Sequence, residues 1–301
     1  MSLPETVSCK WAAYKKMPYA ALTITLLLWA SSFPAIKVGL GSYSAFHVAA
    51  LRFVIASAML GCIAPLLGIR LPRRRDTVLL LALGLIGVSA YHLLLNYGEA
   101  LATASAAAFV ANLAPLFSTI LARTIGETAS SRSWLGLIMG LGGVSLISGS
   151  LPGQFILNTG CLLLMLAAVC WSLFSVMQKP LLAYYSSLEV TCYTVWTGAL
   201  LLAVFLPGAV AASGTASLLA TLSVVYLGIL PTACAYLCWA YVLSKISVSR
   251  AMIYTYMVPV ISVVMSYIWL DERPTLLFSV GAAAVLSGIG IAHQPAERAA
   301  R

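Results

Sequence analysis

The sequence predicts an all-α membrane protein: ten transmembrane helices, arranged as two inverted-topology repeats of five helices around a central cavity. Composition, the spacing of apolar runs and an internal repeat predict it. Of 301 residues, 61% are hydrophobic and 8% charged, with a mean hydropathy of +0.99. Soluble domains carry about 25% charged residues, which excludes a water-soluble fold. Ten helices of about 20 residues leave only short loops, so residues 1–301 form a single transmembrane domain.

Ten apolar runs follow one another along the chain, each suited to one membrane crossing. Charged or helix-breaking segments such as Leu71-Pro72-Arg73 and Leu151-Pro152-Gly153 separate them. The connections around Ala102 and Ser247 are very short, which predicts antiparallel helical hairpins because lipid tolerates no open backbone. The runs cover residues 18–38, 44–67, 77–98, 104–123, 132–149, 157–178, 187–206, 217–241, 249–269 and 275–292.

The basic residues predict the orientation. The formal net charge is +9, and most Lys and Arg side chains lie in loops, which indicates topology and not nucleic-acid binding. If the chain crosses the membrane ten times, the loop Lys and Arg residues lie on one side of the membrane, except Lys37 and Arg273, which lie on the other. Arg52 lies inside a helix. The positive-inside rule then places both termini on the cytoplasmic side of the membrane. Residues 1–17 lack a cleavable signal pattern, so we expect the first helix to remain as an anchor.

The cysteines predict neither a metal site nor a disulfide framework. Seven are scattered along the chain, six of them in apolar runs. Cys234 and Cys238 share a helical face, but no His or carboxylate nearby completes a ligand set. We therefore expect small buried thiols, no metal and no cofactor.

An internal repeat relates the two halves. A shift of 142 aligns Trp29 with Trp171 and Lys37 with Lys179. A shift of 144 aligns Tyr97 with Tyr241 and Pro115 with Pro259, and a shift of 145 aligns Glu127 with Glu272. The predicted repeats are 18–149 and 157–292. Five helices per repeat is an odd number, so the second repeat enters the membrane in the opposite sense, as in carriers that alternate access around a central site.

A set of residues resembles the EamA-type family of the drug/metabolite transporter (DMT) superfamily, over nearly the whole chain. The resemblance implies ten helices, export or exchange of metabolites, and a cavity lined by helices one, three, four, six, eight and nine. Among bacterial members, the chain is similar to the YddG-like amino-acid exporters. The second half departs from the pattern at Val176-Met177-Gln178 and at Thr194, which replaces a second Arg52. The residues concerned are Trp29–Phe33, Lys37, Ala50–Phe53, Tyr97–Ala107, Asn112–Leu116, Gly126-Glu127, Trp171, Tyr241, Pro259 and Asp271–Arg273.

Polar residues at membrane depth are candidates for substrate binding, since unpaired polar groups in lipid are costly. His92, Asn96 and Glu99 share one face of the third helix. That face points at a cavity or at a partner helix, and hydrogen bonding between helices is the alternative role. The repeat relates His92 to Tyr236 and Asn112 to Tyr256, which suggests a shared central site.

Aromatic residues supply further candidates. Trp29 and Trp171 lie well within the first helix of each half and not at the membrane interfaces, and Trp239 lies in the eighth helix. Their rings suit an amphipathic or aromatic solute, with core packing as the alternative. The Ser32 hydroxyl suits a zwitterion, although serine also permits close helix packing.

Four residues are candidates for gating or coupling. Pro115 and Pro259 remove backbone hydrogen bonds and bend helices, which serves gating or structure alone. Arg52 is the deepest positive charge, costing about 2.5–3.5 kcal/mol at mid-bilayer unless compensated. It either pairs with Glu99 as an outer gate or contacts a substrate carboxylate. Proton coupling stays open, with Glu99 and His92 as the titratable candidates.

These observations predict a secondary transporter that exports or exchanges small neutral or zwitterionic metabolites by alternating access. No Walker loop, convergent nucleophile or metal set indicates an ATP-driven pump or an enzyme. Few intramembrane cations argue against phosphorylated solutes, so aromatic or large apolar amino acids are the favoured substrates. A broader exporter of drugs or amphipathic metabolites is the alternative, and a nucleotide-sugar-type carrier is more remote. Expected partners are the substrate and the bilayer; monomer and homodimer both stay open.

Overall fold

The computed structural model describes residues 5–101, 110–147, 159–270 and 276–293, and every regular element in these ranges is helical. Two π-helical segments, Leu85–Ala90 and Gly228–Cys234, interrupt otherwise α-helical stretches. The α-helices are α1 Glu5–Gly39, α2 Ala45–Leu66, α3 Arg74–Gly84, α4 Tyr91–Leu101, α5 Ala114–Leu121, α6 Ser131–Ile147, α7 Thr159–Leu181, α8 Ser187–Leu202, α9 Leu206–Ser213, α10 Leu218–Leu227, α11 Ala235–Lys245, α12 Val248–Tyr254, α13 Met257–Leu270 and α14 Leu276–His293.

Eight helical stretches among the described residues are long and apolar enough to cross a bilayer. Two further apolar stretches, Ala114–Ile125 and Ser131–Ile147, are shorter. They fall in the fourth and fifth predicted runs, 104–123 and 132–149, each of which extends into residues outside the described ranges. The chain is therefore an all-helical, multi-pass membrane protein in its described part.

The two halves fold with matching boundaries. α2 and α8 begin after Ser44 and Ser186, which are equivalent at a shift of 142, and each serine hydroxyl accepts a backbone N–H in the first helical turn. Such a side-chain cap satisfies one of the donors left free at a helix start. α3 and α10 begin at positions that are equivalent at a shift of 144. α4 and α11 end at positions related by the same shift. The repeat seen in the sequence is thus also a repeat of elements.

Glycines hold α6 and α14 in close antiparallel contact. A Cβ atom built on Gly143 would lie 2.6 Å from the carbonyl oxygen of Gly281. A Cβ on Gly288 would lie 2.7 Å from the carbonyl oxygen of Gly136. The contacts 136–288 and 143–281 exchange when the two repeats are exchanged, which is the signature of a two-fold relation. Only glycine permits this backbone approach.

A second pair of contacts obeys the same relation. A Cβ on Gly84 would lie 2.5 Å from the carbonyl oxygen of Thr194, and one on Gly228 would lie 2.9 Å from that of Arg52. Gly84 is equivalent to Gly228, and Arg52 to Thr194. α3 therefore packs on α8 in the same way as α10 and the second π-helical segment pack on α2. We call the two-fold relation between the repeats the repeat axis.

Turns interrupt two helical paths in the described part of the chain. Turns at Asn112–Leu113 and at Thr255–Tyr256 precede α5 and α13. Pro115 lies in the first turn of α5, and Pro259 is the third residue of α13. Proline lacks the N–H that a continuous helix would need at these positions. The breaks thus lie just before the two prolines singled out in the sequence.

Some boundaries differ from the predicted runs. α1 begins at Glu5, well before residue 18, because the residues ahead of the apolar run include good helix formers such as Ala12 and Lys15. The helical path that begins at Ser187 continues to Ser213. The π-helical segments have no counterpart in the apolar pattern, which does not distinguish hydrogen-bonding registers.

Candidate functional site

Repeat-equivalent tryptophans meet at the centre of the molecule. The ring centroids of Trp29 on α1 and Trp171 on α7 lie 5.3 Å apart, edge to face. Trp239 on α11 lies 5.3 Å from Trp29 and 6.3 Å from Trp171. Because Trp29 and Trp171 are equivalent and touch each other, their contact lies at the repeat axis. Carriers built from inverted repeats place their substrate site at this position.

The second equivalent pair at the axis is polar. Nε2 of His92 lies 3.4 Å from the hydroxyl oxygen of Tyr236. Each of these residues is the second of its helix after a π-helical segment, at the start of α4 and of α11. A π-helical turn shifts the following side chains around the helix, and such turns are frequent at functional sites.

Further rings complete a continuous group. Phe53 packs edge to face on His92 at 4.8 Å and on Tyr236 at 6.2 Å. Tyr91 and Phe174 contact Trp171 at 5.2 and 5.4 Å. We call the whole group the axial aromatic cluster. Its members are Trp29, Phe53, Tyr91, His92, Trp171, Phe174, Tyr236 and Trp239.

The axial aromatic cluster is closely packed. Tyr236 is 5% exposed, and Trp239 is fully buried. The indole N–H of Trp239 has no hydrogen-bond acceptor among the described residues. A buried donor without a partner costs free energy and provides a point of attachment for a ligand oxygen. Rings in contact fill the place where the sequence predicted a cavity, so admitting a solute requires them to move apart.

Arg52 borders the axial aromatic cluster from α2. Its Nε donates to the Thr232 hydroxyl at 2.9 Å, and its guanidinium carbon lies 5.5 Å from the centroid of the Phe53 ring. Thr232 belongs to the second π-helical segment and also donates to the carbonyl of Leu227. The side chain of Glu99 lies outside the described residues, so the predicted Arg52–Glu99 gate stays a prediction.

Three other residues predicted for the site have the following contacts and positions. The Ser32 hydroxyl donates to the carbonyl of Trp29 in its own helix. Asn96 donates to the carbonyl of Ala45 at 3.3 Å, which links α4 to the start of α2. Asn112 lies in the turn before α5.

Tyr256 lies apart from the axial aromatic cluster. It is fully buried in a separate apolar group with Leu137, Val144 and Val285, between α6 and α14. Its ring fills the space left by Gly140. The equivalence of Tyr256 with Asn112 therefore does not bring Tyr256 to the rings at the repeat axis.

Sequence reasoning missed several contributors. Phe53, Tyr91 and Phe174 each lie within three residues of a predicted site residue, so local aromatic density was the available signal. Thr232 had no signal, because its role depends on the π-helical segment. The ion pair between Lys179 and Glu127, 3.1 Å long, was also missed. The recurrence of lysine and glutamate in both repeats was its signal.

Comparison with known proteins identifies relatives over almost the whole chain. The EamA-like transporter family matches residues 16–149 and again residues 158–292. The "Probable terminal-alkyne amino-acid exporter" of Streptantibioticus cattleyicolor is 37% identical over 270 residues, which cover 89% of this chain and 91% of that protein. The "Uncharacterized transporter YdfC" of Bacillus subtilis is 38% identical over 264 residues, covering 87% and 86% of the two chains. The resemblance noted in the sequence is thereby confirmed.

More distant relatives agree. The "Probable amino-acid metabolite efflux pump" of Escherichia coli is 26% identical over 283 residues, covering 89% of this chain and 92% of that protein. A solved structure described only as "Crystal structure of protein" superimposes with a TM-score of 0.77 at 23% identity. The match covers 92% of this chain and 96% of that one. At that identity the likeness concerns the fold alone.

Proposed function

The chain belongs to the EamA-like transporter family, and we propose that it is a secondary carrier that exports or exchanges amino acids with aromatic or large apolar side chains. The observation that carries the proposal is the meeting of two repeat-equivalent pairs, Trp29 with Trp171 and His92 with Tyr236, at the repeat axis. Rings contributed by both repeats form a surface that suits an apolar side chain. One relative is named a probable terminal-alkyne amino-acid exporter and another a probable amino-acid metabolite efflux pump, which supports amino acids as the general class of substrate.

The mechanism we propose is alternating access by rocking of two inverted five-helix repeats. The protein would lie in a bacterial inner membrane, with both termini on the cytoplasmic side. Rocking would separate Trp29 from Trp171 and let solute reach the rings. The breaks at Asn112–Leu113 and Thr255–Tyr256, with Pro115 and Pro259, would let half-helices tilt. Bending there costs less than bending a continuous helix, because fewer backbone hydrogen bonds are lost.

A broader exporter of amphipathic metabolites or drugs is the second candidate, since apolar rings accept many solutes. Phosphorylated solutes such as nucleotide sugars fit less well. Their charge calls for several cationic partners, and Arg52 is the one cation placed beside the axial aromatic cluster among the described side chains. We propose no enzymatic activity.

Uptake into proteoliposomes tests the carrier function. We expect saturable uptake of labelled L-phenylalanine and L-leucine. Trp171→Ala and His92→Ala should each lower uptake severalfold to about tenfold, because each removes a ring that would contact the solute, and such a contact is worth about 0.5–1.5 kcal/mol. Repeating the assay with an imposed proton gradient tests coupling.

Trp134→Ala is the matched control. Trp134 lies on α6 beneath Arg123, outside the axial aromatic cluster, so its loss should leave uptake near the level of the unaltered protein. A folded protein that carries none of the amino acids, with or without a gradient, would contradict the proposal.

A further inference from the structure

We propose that Arg52 recognises the carboxylate of the transported solute, so that the site selects small organic monocarboxylates with an apolar side chain, the α-amino acids among them. The inference rests on the proposed transport function and names the substrate class of the same site. It is carried by the burial of Arg52, the one hydrogen bond that its side chain makes among the described residues, its contact with the rings and the asymmetry between the repeats.

Arg52 is held in place with most of its hydrogen-bonding capacity unused. The residue is 8% exposed, and Nε donates to Thr232. The two terminal –NH2 groups have no hydrogen bond and no carboxylate partner among the described residues. These groups form the fork that binds a carboxylate with two parallel hydrogen bonds. A buried guanidinium in this condition is stabilised by an anion that enters the site.

The guanidinium and the rings form one continuous surface. Arg52 lies over the Phe53 ring, and Phe53 contacts both His92 and Tyr236. Tyr236 in turn lies 6.4 Å from Trp29, centroid to centroid. A solute with its carboxylate on Arg52 would therefore extend its side chain along aromatic faces. A carboxylate joined to a short apolar chain has this arrangement of groups.

The two repeats differ at the positions of Arg52 and Thr232, so the site has a cation on one side of the repeat axis and none at the equivalent position. The equivalents of Arg52 and Thr232 are Thr194 and Val88. Thr194 is fully buried and donates its hydroxyl to the carbonyl of Val190 in its own helix. Val88 is apolar and fully buried. The aromatic pairs are shared by both repeats, whereas the cation is present on one side only, so one guanidinium serves one carboxylate.

Ligand binding to the purified full-length protein tests the inference, read by the fluorescence of the tryptophans in the axial aromatic cluster. The probes are L-phenylalanine, 3-phenylpropionate, which lacks the amine, and phenethylamine, which lacks the carboxylate. Arg52→Gln should weaken the two carboxylates about tenfold to hundredfold, the range for a hydrogen bond to a charged group. Phenethylamine should bind Arg52→Gln at least as well as the unaltered protein.

Two further variants make the result independent of any folding defect in Arg52→Gln. Arg52→Lys keeps the charge but loses the fork, and should fall between the unaltered protein and Arg52→Gln for carboxylates. Thr232→Val removes the hydroxyl that orients Nε, and should weaken carboxylates severalfold and phenethylamine not at all. The ratio of carboxylate to amine affinity is unaffected by the fraction of folded protein.

Each outcome is decisive. Selective loss of carboxylate binding in the Arg52 variants supports the inference. Equal weakening of all three probes, or no weakening, overturns it while leaving a carrier of apolar solutes intact. Failure of the unaltered protein to bind or transport any of the probes overturns the proposed function and the inference with it.

Discussion

Lys179 is held at the end of α7 by oxygen atoms from separate segments. Its Nζ lies 3.1 Å from Oε1 of Glu127 and donates to the carbonyls of Leu243 and Ile246. The other carboxylate oxygen of Glu127 accepts the backbone N–H of Val248 at 2.8 Å. One ion pair therefore joins the loop between α5 and α6 of the first repeat to α7, α11 and α12 of the second.

We expect this ion pair to couple measurably. The Lys179 and Glu127 side chains are only 24% and 15% exposed, so water screens them less than a surface pair. In a double-mutant cycle of Lys179→Met and Glu127→Gln, measured by thermal unfolding in detergent, the coupling should be about 1 kcal/mol or more. The double variant should be no less stable than the worse single variant.

The ion pair Arg75–Asp76 provides the comparison, because its cation is exposed to solvent. Its atoms are 3.6 Å apart and Arg75 is 67% exposed, so Arg75→Gln should cost less than about 0.5 kcal/mol. Additive effects of the Lys179 and Glu127 substitutions would show that the two side chains do not interact in solution.

Residues of the axial aromatic cluster were predictable where the repeat and the residue type agreed. Trp29 and Trp171 were singled out by their placement within helices and by their equivalence, and His92 and Tyr236 likewise. Tyr256 shows where this reasoning ends. The break at Thr255–Tyr256 turns the side chain into the space beside Gly140, and the sequence shift carries no information about the direction of a side chain at a break.

At the scale of the helices, α6 contains glycines in two different environments, one packed against a neighbouring helix and one facing open space. Gly143 lies against the backbone of Gly281, whereas a Cβ on the neighbouring Gly142 would meet nothing within 4 Å. Gly143→Ala should separate α6 from α14 and cost about 1–3 kcal/mol of stability, as overpacking does. Gly142→Ala should be neutral or stabilising, since alanine favours a helix by about 1 kcal/mol over glycine.

Thermal unfolding of the two variants side by side measures the difference. Both substitutions add one methyl group to the same helix, so the two variants have the same amino-acid composition and differ only in the position of the methyl group. Equal midpoints would show that α6 and α14 do not hold this contact in the membrane.

Element positions were more predictable than their internal geometry. Apolar length and the breakers identify where helices lie, because burial in lipid requires about 20 apolar residues. The π-helical segments Leu85–Ala90 and Gly228–Cys234 were not predictable. In the first segment Ser89 donates a hydrogen bond to the carbonyl of Gly198 on α8, a contact that the apolar pattern does not reveal. The second contains Pro231, which lacks a backbone N–H. These segments position His92 and Tyr236, so part of the site's geometry was hidden from the sequence as well.

At the scale of the whole molecule, the contacts that exchange between repeats bear on how the chain lies in the membrane. The equivalent helices α6 and α14 pack antiparallel, so if both span the bilayer they cross it in opposite senses. If every helix of one repeat is related in this way to its counterpart, equivalent loops must face opposite sides. A parallel duplication would place equivalent loops on the same side.

Labelling of single cysteines in a cysteine-free variant tests this directly with a membrane-impermeant maleimide. Leu71 and Thr215 are exposed, equivalent at a shift of 144, and lie in loops after α2 and after α9. We expect Thr215→Cys to react in intact cells, and Leu71→Cys to react only in inverted vesicles. Gly41→Cys and Ala183→Cys, equivalent at a shift of 142, should behave as Thr215 and Leu71 do, because a loop that follows an odd-numbered span from a cytoplasmic start lies outside. Labelling of both members of a pair from the same side would exclude inverted repeats, and with them rocking about the repeat axis.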